Sequence, residues 1–348
     1  MSAVGDTEQL EYSACELLSS LEVCEPLIAA GVRCHGGFAH DGTYVSPRSK
    51  FRLPAIGAWQ RHHQAQFGSP IIEVPLELWG EHFPNVAQTR LLIHAGIPEP
   101  LIATLTRIGT LEGYGAKIAL LRPDGLQRFF DEDIAGTAID HLGRGLFEAH
   151  GRDEAGCDEQ AGHRDMWFAA RDIAFQSQAT EVDVEAMLAR MGFGPGARAA
   201  SASERLMPDD IDFRLEFMVS LMIRVLFIEV AAFHTFAWAQ AWLSDPDLVA
   251  GDGAAGRLVS YIRADESPHV GYLATALTEL RDRTWIGDGG RRHNGVELID
   301  GVWHRMLDHS LAVRREEGRR AVLGEVERWC LIRPNGAEVL AEFHSLAA

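Results

Sequence analysis

The sequence contains few cysteines and comparatively few basic residues. Its five cysteines form no Cys-x-x-Cys pair and are odd in number. This pattern argues against a disulfide framework and against a thiolate zinc site. Acidic residues outnumber basic residues by 50 to 32, which gives a formal net charge of −18. An acidic surface repels polyanions, so we expect neither nucleic acid nor an anionic membrane as a partner.

The sequence also lacks a secretory signal, a membrane span and a nucleotide-binding loop. Its amino terminus is acidic and has no long apolar run, so we expect a cytoplasmic location. The longest apolar stretch, 217–243, is interrupted by Arg224, Glu229, His234 and Gln240. Because these side chains are costly in lipid, the stretch predicts a buried helix of a soluble protein. No Gly-rich phosphate loop and no nucleophile elbow is present, which disfavours nucleotide-dependent and serine-hydrolase chemistry.

Helical periodicity dominates the sequence after its first 95 residues and predicts an all-α fold. We expect an irregular, partly helical extension at 1–95, a helical bundle at 96–290 and an extra C-terminal helix within 291–348. In the bundle, a long connection would join two helical hairpins. The predicted helical segments are 100–121, 131–156, 158–178, 182–191, 209–244, 254–283 and 296–328.

Glu229 is the first candidate functional residue. It is the only formally charged residue in the stretch 225–239, and a helix that is apolar on all sides must be buried. A buried carboxylate needs a cation, a hydrogen-bond network or a metal ion. In a metal-free scaffold, Glu229 would pair with an arginine such as Arg224 or Arg263.

The next predicted helix carries a motif that favours a metal ion. Glu266 and His269 are three residues apart and lie on one helical face, where both can ligate the same metal. Glu229 lies 37 residues before Glu266, which places it at a similar height in an antiparallel hairpin. Asp265 is then expected to accept the N–H of a ligating histidine. Pro268 leaves two alternatives: a distorted helix at the site, or a helix that starts at Pro268 and excludes Glu266.

This combination resembles the ferritin-like diiron carboxylate superfamily, in its oxidase and oxygenase branch. The resemblance rests on Asp265, Glu266 and His269, with Glu229 in the preceding helix. It covers about 110–290 and implies a ferritin-like bundle that holds two iron ions. It also implies a matching Glu and a Glu-x-x-His in the first helix pair of the bundle. The first half of the bundle, however, contains no literal Glu-x-x-His.

Several residues of the first half could complete the metal site. If Gly156 ends one helix and Asp158 caps the next, Glu148 and His163 would face each other across a tight turn. Alternatively, Glu112 takes the part of Glu229, because it lies 36 residues before Glu148. The order of preference is Glu148, His163 and Glu159, followed by Glu112, with His150 and Glu154 last.

The resemblance implies a non-haem dimetal enzyme that activates dioxygen and oxidises a small organic substrate. Its cofactors would be two iron ions, with manganese as an alternative metal. The expected partners are the small-molecule substrate, an external electron donor and, as one option, a second copy of the chain. The alternative function is metal storage or sensing without turnover, which predicts a site closed to substrate.

Overall fold

Helices dominate the computed structural model, which describes residues 8–176 and 205–347. The predicted helix 182–191 lies outside the described residues. The helices are α1 (Ala14–Leu17), α2 (Arg52–Phe67), α3 (Val86–His94), α4 (Glu99–Gly115), α5 (Ala138–His141), α6 (Phe147–Ala155), α7 (His163–Phe175), α8 (Phe213–Leu243), α9 (Ala254–Asp265), α10 (Ser267–Arg281), α11 (Gly295–His309), α12 (Arg315–Leu331) and α13 (Gly336–Ser345). The expectation of a mainly helical fold is confirmed.

The long apolar helix α8 forms as the sequence predicts. The carboxylate of Asp212 caps it by accepting hydrogen bonds from the backbone N–H groups of Arg214 at 2.7 Å and Leu215 at 3.3 Å. The helix ends at Leu243, one residue before the predicted boundary. Glu229 is only 5% exposed. Within the described ranges, no helix combines the length and the apolar character needed to cross a membrane.

The segment predicted as one helix over 254–283 is divided at Glu266. Helix α9 ends at Asp265 and α10 begins at Ser267, with Pro268 in its first turn. Glu266 itself keeps helical dihedral angles, φ −75° and ψ −21°. Its carbonyl oxygen accepts a hydrogen bond from the His269 N–H at 3.0 Å. The break therefore leaves Glu266 and His269 on the same face. A new helix does begin next to Pro268, as the second alternative predicts, but Glu266 keeps a helical conformation, as the first alternative predicts.

The first half of the bundle follows the predicted segments less closely. Within the described residues of 131–156, regular helix begins at α5, and a π-helical turn at Leu142–Leu146 leads into α6. Gly156, with a φ of 84°, ends α6. The turn after it is tight, because a Cβ on Gly162 would lie 2.2 Å from the Gly156 nitrogen. Asp158 lies within this turn and is not a cap, since α7 begins at His163.

The N-terminal part contains strands that periodicity did not reveal. The strands β1 (Glu25–Ala29), β2 (Val32–Phe38) and β3 (Tyr44–Val45) form an antiparallel sheet in the order β1-β2-β3. Its backbone is joined to the bundle by a bridge between Cys34 and Ala161. The sheet and the start of α2 thus lie against α6, α7 and the junction of α9 with α10.

The C-terminal part forms further helices beyond a short hairpin. The strands β4 (Thr284–Ile286) and β5 (Arg292–Asn294) pair antiparallel directly after α10. Helix α11 follows and continues through the π-helical turn Ser310–Arg314 into α12. This agrees with the helical segment predicted over 296–328, and α13 adds a further helix.

Candidate metal centre

Seven carboxylate and imidazole side chains converge between α4, α6, α7, α8 and the junction of α9 with α10. They form two groups that share Glu154, and within each group the potential ligand atoms all lie within 4.8 Å of one another. We call the seven residues the carboxylate–histidine cluster. Its members are Glu112, His150, Glu154, His163, Glu229, Glu266 and His269.

The first group surrounds Nδ1 of His269. This nitrogen lies 2.7 Å from Oε2 of Glu266, 3.3 Å from Oε1 of Glu154 and 3.7 Å from Oε1 of Glu229. His150 stacks on the His269 ring, with 3.8 Å between the ring centroids. Its Nε2 lies 3.3 Å from Oε1 of Glu229. The four residues of this group, together with Glu266 of the second group, thus place two imidazoles and three carboxylates around one small volume.

The second group surrounds Nδ1 of His163. This nitrogen lies 2.9 Å from Oε1 of Glu266 and 3.4 Å from Oε1 of Glu154. Glu112 completes the group, and its Oε1 accepts a hydrogen bond from the indole N–H of Trp167 at 3.1 Å. Glu154 and Glu266 therefore lie between the two groups, each close to both His163 and His269.

Each of the three histidines has its other ring nitrogen next to a polar group outside the cluster. Nε2 of His269 lies 2.9 Å from Oδ2 of Asp153. Nε2 of His163 lies 3.5 Å from Oδ2 of Asp265. Nδ1 of His150 lies 3.1 Å from the Tyr272 hydroxyl. A carboxylate in this position, as at His269 and His163, favours a proton on the outer nitrogen and leaves the lone pair of the inner nitrogen available to a metal.

The N-terminal part supplies the next layer of contacts. Asp153 accepts a hydrogen bond from Nε of Arg48 at 2.6 Å and forms an ion pair with Nη2 of Arg52 at 2.7 Å. Tyr44 donates its hydroxyl proton to Oδ2 of Asp265 at 2.9 Å. His35 lies 3.5 Å from the same oxygen. Both aspartates are therefore held by residues within 35–52, which belong to the N-terminal segment that the sequence predicts to be an extension packed on the core.

The inner atoms of the cluster have no hydrogen-bond partner among the described residues. They are Nε2 of His150, both carboxylate oxygens of Glu154, Nδ1 of His163 and Oε1 of Glu266. Each of these residues is at most 1% exposed. Unpaired buried polar atoms carry a large desolvation penalty. Two divalent cations would offset the four carboxylate charges of the cluster, so these residues fit a dinuclear metal centre.

Without metal, the protons of the cluster are shared unevenly. Burial raises the pKa of Glu112 and of Glu229 well above the ordinary value for glutamate. Burial acts on Glu266 in the same direction, but the neighbouring His163 and His269 outweigh it and hold the pKa of Glu266 well below that value. Burial lowers the pKa of both histidines, but the surrounding carboxylates, Glu266 foremost, together outweigh burial and raise both pKa values. In this state the protons on the imidazoles balance the charge of the neighbouring carboxylates. A bound cation would take the place of these protons.

The structure brings together five of the seven residues proposed as ligands from the sequence. Glu229, Glu266, His269, His163 and Glu112 are all members of the cluster. Asp265 lies outside it and faces His163, the position expected for an acceptor of the histidine N–H.

Glu148 and Glu159 are not brought to the cluster, which corrects the first-half assignment. Glu148 is exposed and forms an ion pair with Arg152. It precedes His150 by two residues, which places it on nearly the opposite face of α6. Glu154 follows His150 by four residues and shares its face. Glu159 is exposed in the turn before α7. His150 and Glu154, the two least preferred residues, occupy the positions expected of Glu148 and Glu159.

Sequence reasoning missed Asp153, although a signal was present. The dipeptide Asp-Glu occurs at 153–154 and again at 265–266. In both places the glutamate belongs to the cluster and the aspartate faces a histidine. No comparable sequence pattern marks several other residues that contact the cluster or these aspartates, namely Tyr44, Arg48, Arg52 and Tyr272.

The chain shows no match in comparisons with family models, with curated proteins and with solved structures.

Proposed function

We propose that the carboxylate–histidine cluster binds two iron ions and that the protein uses them to activate dioxygen and oxidise a small organic substrate. The observation that carries the proposal is the set of unpartnered, fully buried donor atoms of His150, Glu154, His163 and Glu266. Oxygen and nitrogen donors suit iron, and manganese is the alternative metal. The oxygen chemistry follows from the resemblance to the diiron carboxylate superfamily.

The geometry suggests how the ligands would be divided. One ion would be held by Glu112 and His163, and the other by His150, Glu229 and His269. Glu154 and Glu266 would contribute to holding both ions, because each lies close to histidines of both groups. Four carboxylates and two divalent ions sum to zero charge, which suits a site that is largely shielded from water.

Bound ferrous ions would supply electrons for the reduction of dioxygen, and an external donor would restore them. The residues of the chain then have simpler tasks. Asp153, Asp265 and Tyr272 orient the imidazoles, and the burial of the cluster excludes bulk water. The bundle would adopt the ferritin-like arrangement of the superfamily.

A second candidate function is the storage or sensing of metal without turnover. The near-complete burial of the cluster favours it, because an oxygenase also needs access for its substrate. Glu112 is the one partly exposed member of the cluster and marks the side from which a substrate would approach.

Metal analysis and oxygen uptake test the two candidates in sequence. The purified protein is reconstituted with Fe²⁺ under anaerobic conditions, desalted and analysed for metal. About two ions per chain are expected under both candidates, and no retained metal would rule out both. Oxygen consumption is then followed with a chemical reductant and a panel of small substrates. Uptake that depends on a substrate supports the oxidase, whereas a single stoichiometric uptake without turnover supports storage.

A further inference from the structure

A second polar site lies at the far end of α2 and α10. It is a cavity of about 460 Å³, bounded by the end of α2, the end of α10 and the β4–β5 hairpin. Arg281, the last residue of α10, follows His269 by 12 residues. At about 1.5 Å per residue this is roughly 18 Å along the helix. The cavity is therefore separate from the carboxylate–histidine cluster.

The lining of this cavity is rich in arginine, although the protein as a whole is acidic. Arg281, Arg283 and Arg292 contribute to it, together with the carboxylate of Asp282. The chain as a whole carries a formal net charge of −18. An arginine of a concave surface can attract an anion where no carboxylate already contacts it.

Arg283 differs from the other two arginines in its partners. Arg281 pairs with Asp300, and Arg292 pairs with Asp131. Arg283 is only 2% exposed, and its Nη1 donates to the backbone oxygen of Glu279 at 2.8 Å. Its Nε and Nη2 have no hydrogen-bond partner among the described residues.

The carboxylate of Glu279, which lies on α10 four residues before Arg283, does not provide that partner. It accepts hydrogen bonds from the backbone N–H groups of Ala138 at 3.1 Å and Ile139 at 3.0 Å. Within the described ranges, Arg283 forms no ion pair within 4.0 Å. A buried guanidinium without a contacting counter-ion is unfavourable, so its unpartnered edge is complementary to an anion.

The unpartnered edge of Arg283 has the geometry that binds a carboxylate. Nε and Nη2 are the two donors with which Arg281 holds Asp300, at 2.8 and 3.1 Å. The Arg283 guanidinium also lies over the Phe67 ring, with 5.2 Å between Cζ and the ring centroid. This contact helps to fix its plane, and a fixed planar fork matches the two oxygens of a carboxylate.

We propose that this cavity binds a small organic carboxylate, which accepts hydrogen bonds from Nε and Nη2 of Arg283. The neighbouring Asp282 already interacts with His63 and Ser69. Its negative charge disfavours a doubly charged anion at the same place, which favours a singly charged carboxylate over phosphate. The site does not depend on the metal proposal, because no member of the carboxylate–histidine cluster lines it.

The test is calorimetric titration of the full-length protein with propionate and succinate, with inorganic phosphate and chloride for comparison at constant ionic strength. We expect saturable binding of a carboxylate to the wild type. Arg283→Met should weaken it at least about tenfold, because two charge-assisted hydrogen bonds are lost. Arg283→Lys keeps the charge without the fork and should also bind more weakly than the wild type. Arg320→Gln, which removes one exposed arginine on α12, is the charge-matched control and should bind as the wild type does.

Two further readouts make the result independent of folding and of metal. Propionate should raise the melting temperature of the wild type and leave that of Arg283→Met unchanged, because a ligand stabilises only the protein that binds it. Metal content is measured on the same samples, so that chelation by succinate is not mistaken for binding. The proposal is overturned if the wild type binds neither carboxylate saturably, if Arg283→Met binds as the wild type does, if phosphate alone binds, or if propionate raises both melting temperatures equally.

Discussion

Asp153 and Asp265 are related crosswise through the carboxylate–histidine cluster. Asp153 lies on α6 in the first half of the bundle and contacts His269 of the second half at 2.9 Å. Asp265 lies at the end of α9 in the second half and faces His163 of the first half at 3.5 Å. Each aspartate directly precedes a glutamate of the cluster. Each half of the bundle therefore places an aspartate next to a histidine of the cluster that the other half carries.

Replacement of either aspartate should weaken metal binding. For Asp153→Asn and Asp265→Asn we expect a loss of about 10–100-fold in metal affinity, because the outer partner of a ligating histidine sets its orientation and basicity. Titration of the metal-free proteins with Co²⁺ measures this loss through the visible absorption of the bound ion. Asp158→Asn, the same change at an exposed position of the turn before α7, is the control. Wild-type affinity in Asp153→Asn would contradict the assignment.

The two aspartate variants should differ in stability. Asp153 is paired with Arg48 and Arg52, both of which are buried. Removal of its charge leaves two buried guanidinium groups without their anion, which should cost roughly 3–5 kcal/mol. Asp265 has no arginine partner among the described residues. Urea denaturation of the metal-free proteins should therefore show a larger loss for Asp153→Asn than for Asp265→Asn, and equal losses would contradict the role given to the arginines.

Substitution of the glutamates should separate shared ligands from unshared ones. Glu154 contacts histidines of both groups, so Glu154→Ala should lose both ions. Glu112 belongs to one group, and Glu112→Ala should retain about one ion per chain. Glu148→Ala, on the exposed face of the same helix as Glu154, should retain two. Metal analysis after desalting gives all three values, and retention of two ions by Glu154→Ala would move the site elsewhere.

Metal binding should release protons. In the metal-free protein, burial raises the pKa of Glu112 and Glu229, and the surrounding carboxylates together outweigh burial to raise the pKa of His163 and His269. These four groups must lose their protons to ligate, so affinity should rise with pH. Calorimetry in buffers of different ionisation enthalpy counts the protons released. An affinity that does not change between pH 6 and pH 8 would contradict this prediction.

Glu279 should make the protein less stable as the pH rises. Burial raises its pKa from 4.5 to about 7 in the folded state. Between these values the folded state holds a proton that the unfolded state has lost, so stability is fully present below the lower pKa and declines through the higher one. The decline amounts to about 3 kcal/mol at most. In denaturation at pH 5 and pH 8, Glu279→Gln should gain on the wild type at the higher pH, and the same difference at both pH values would refute the assignment.

The sequence located the second half of the site because its signals are local. Glu229 is the one charge in a run of apolar residues, and Glu266 and His269 share a helical turn whatever the rest of the chain does. These features depend only on helix geometry, and the structure places all three together.

The first half could not be located in this way because its geometry depends on tertiary structure. Whether Glu148 or Glu154 faces inward is decided by the rotation of α6 about its own axis, which depends on how this helix packs against its neighbours in the fold. The sequence does not determine that rotation. The acidic stretch 148–163 also contains several residues that could be ligands. The strands of the N-terminal part were missed because their residues do not alternate between buried and exposed over a useful length. Four consecutive residues of β2 are buried, and β3 spans only Tyr44–Val45.

The contacts around the cluster join residues that are far apart along the chain. Arg48 and Asp153 are 105 positions apart, Asp153 and His269 are 116 apart, and Tyr44 and Asp265 are 221 apart. Closing such long loops requires most of the chain to be in place, because each closure loses chain entropy. A partly folded chain would present the ligands without the groups that orient them. Tight metal retention would therefore follow the completion of folding, and it would serve as a sensitive indicator that the amino-terminal strands have docked.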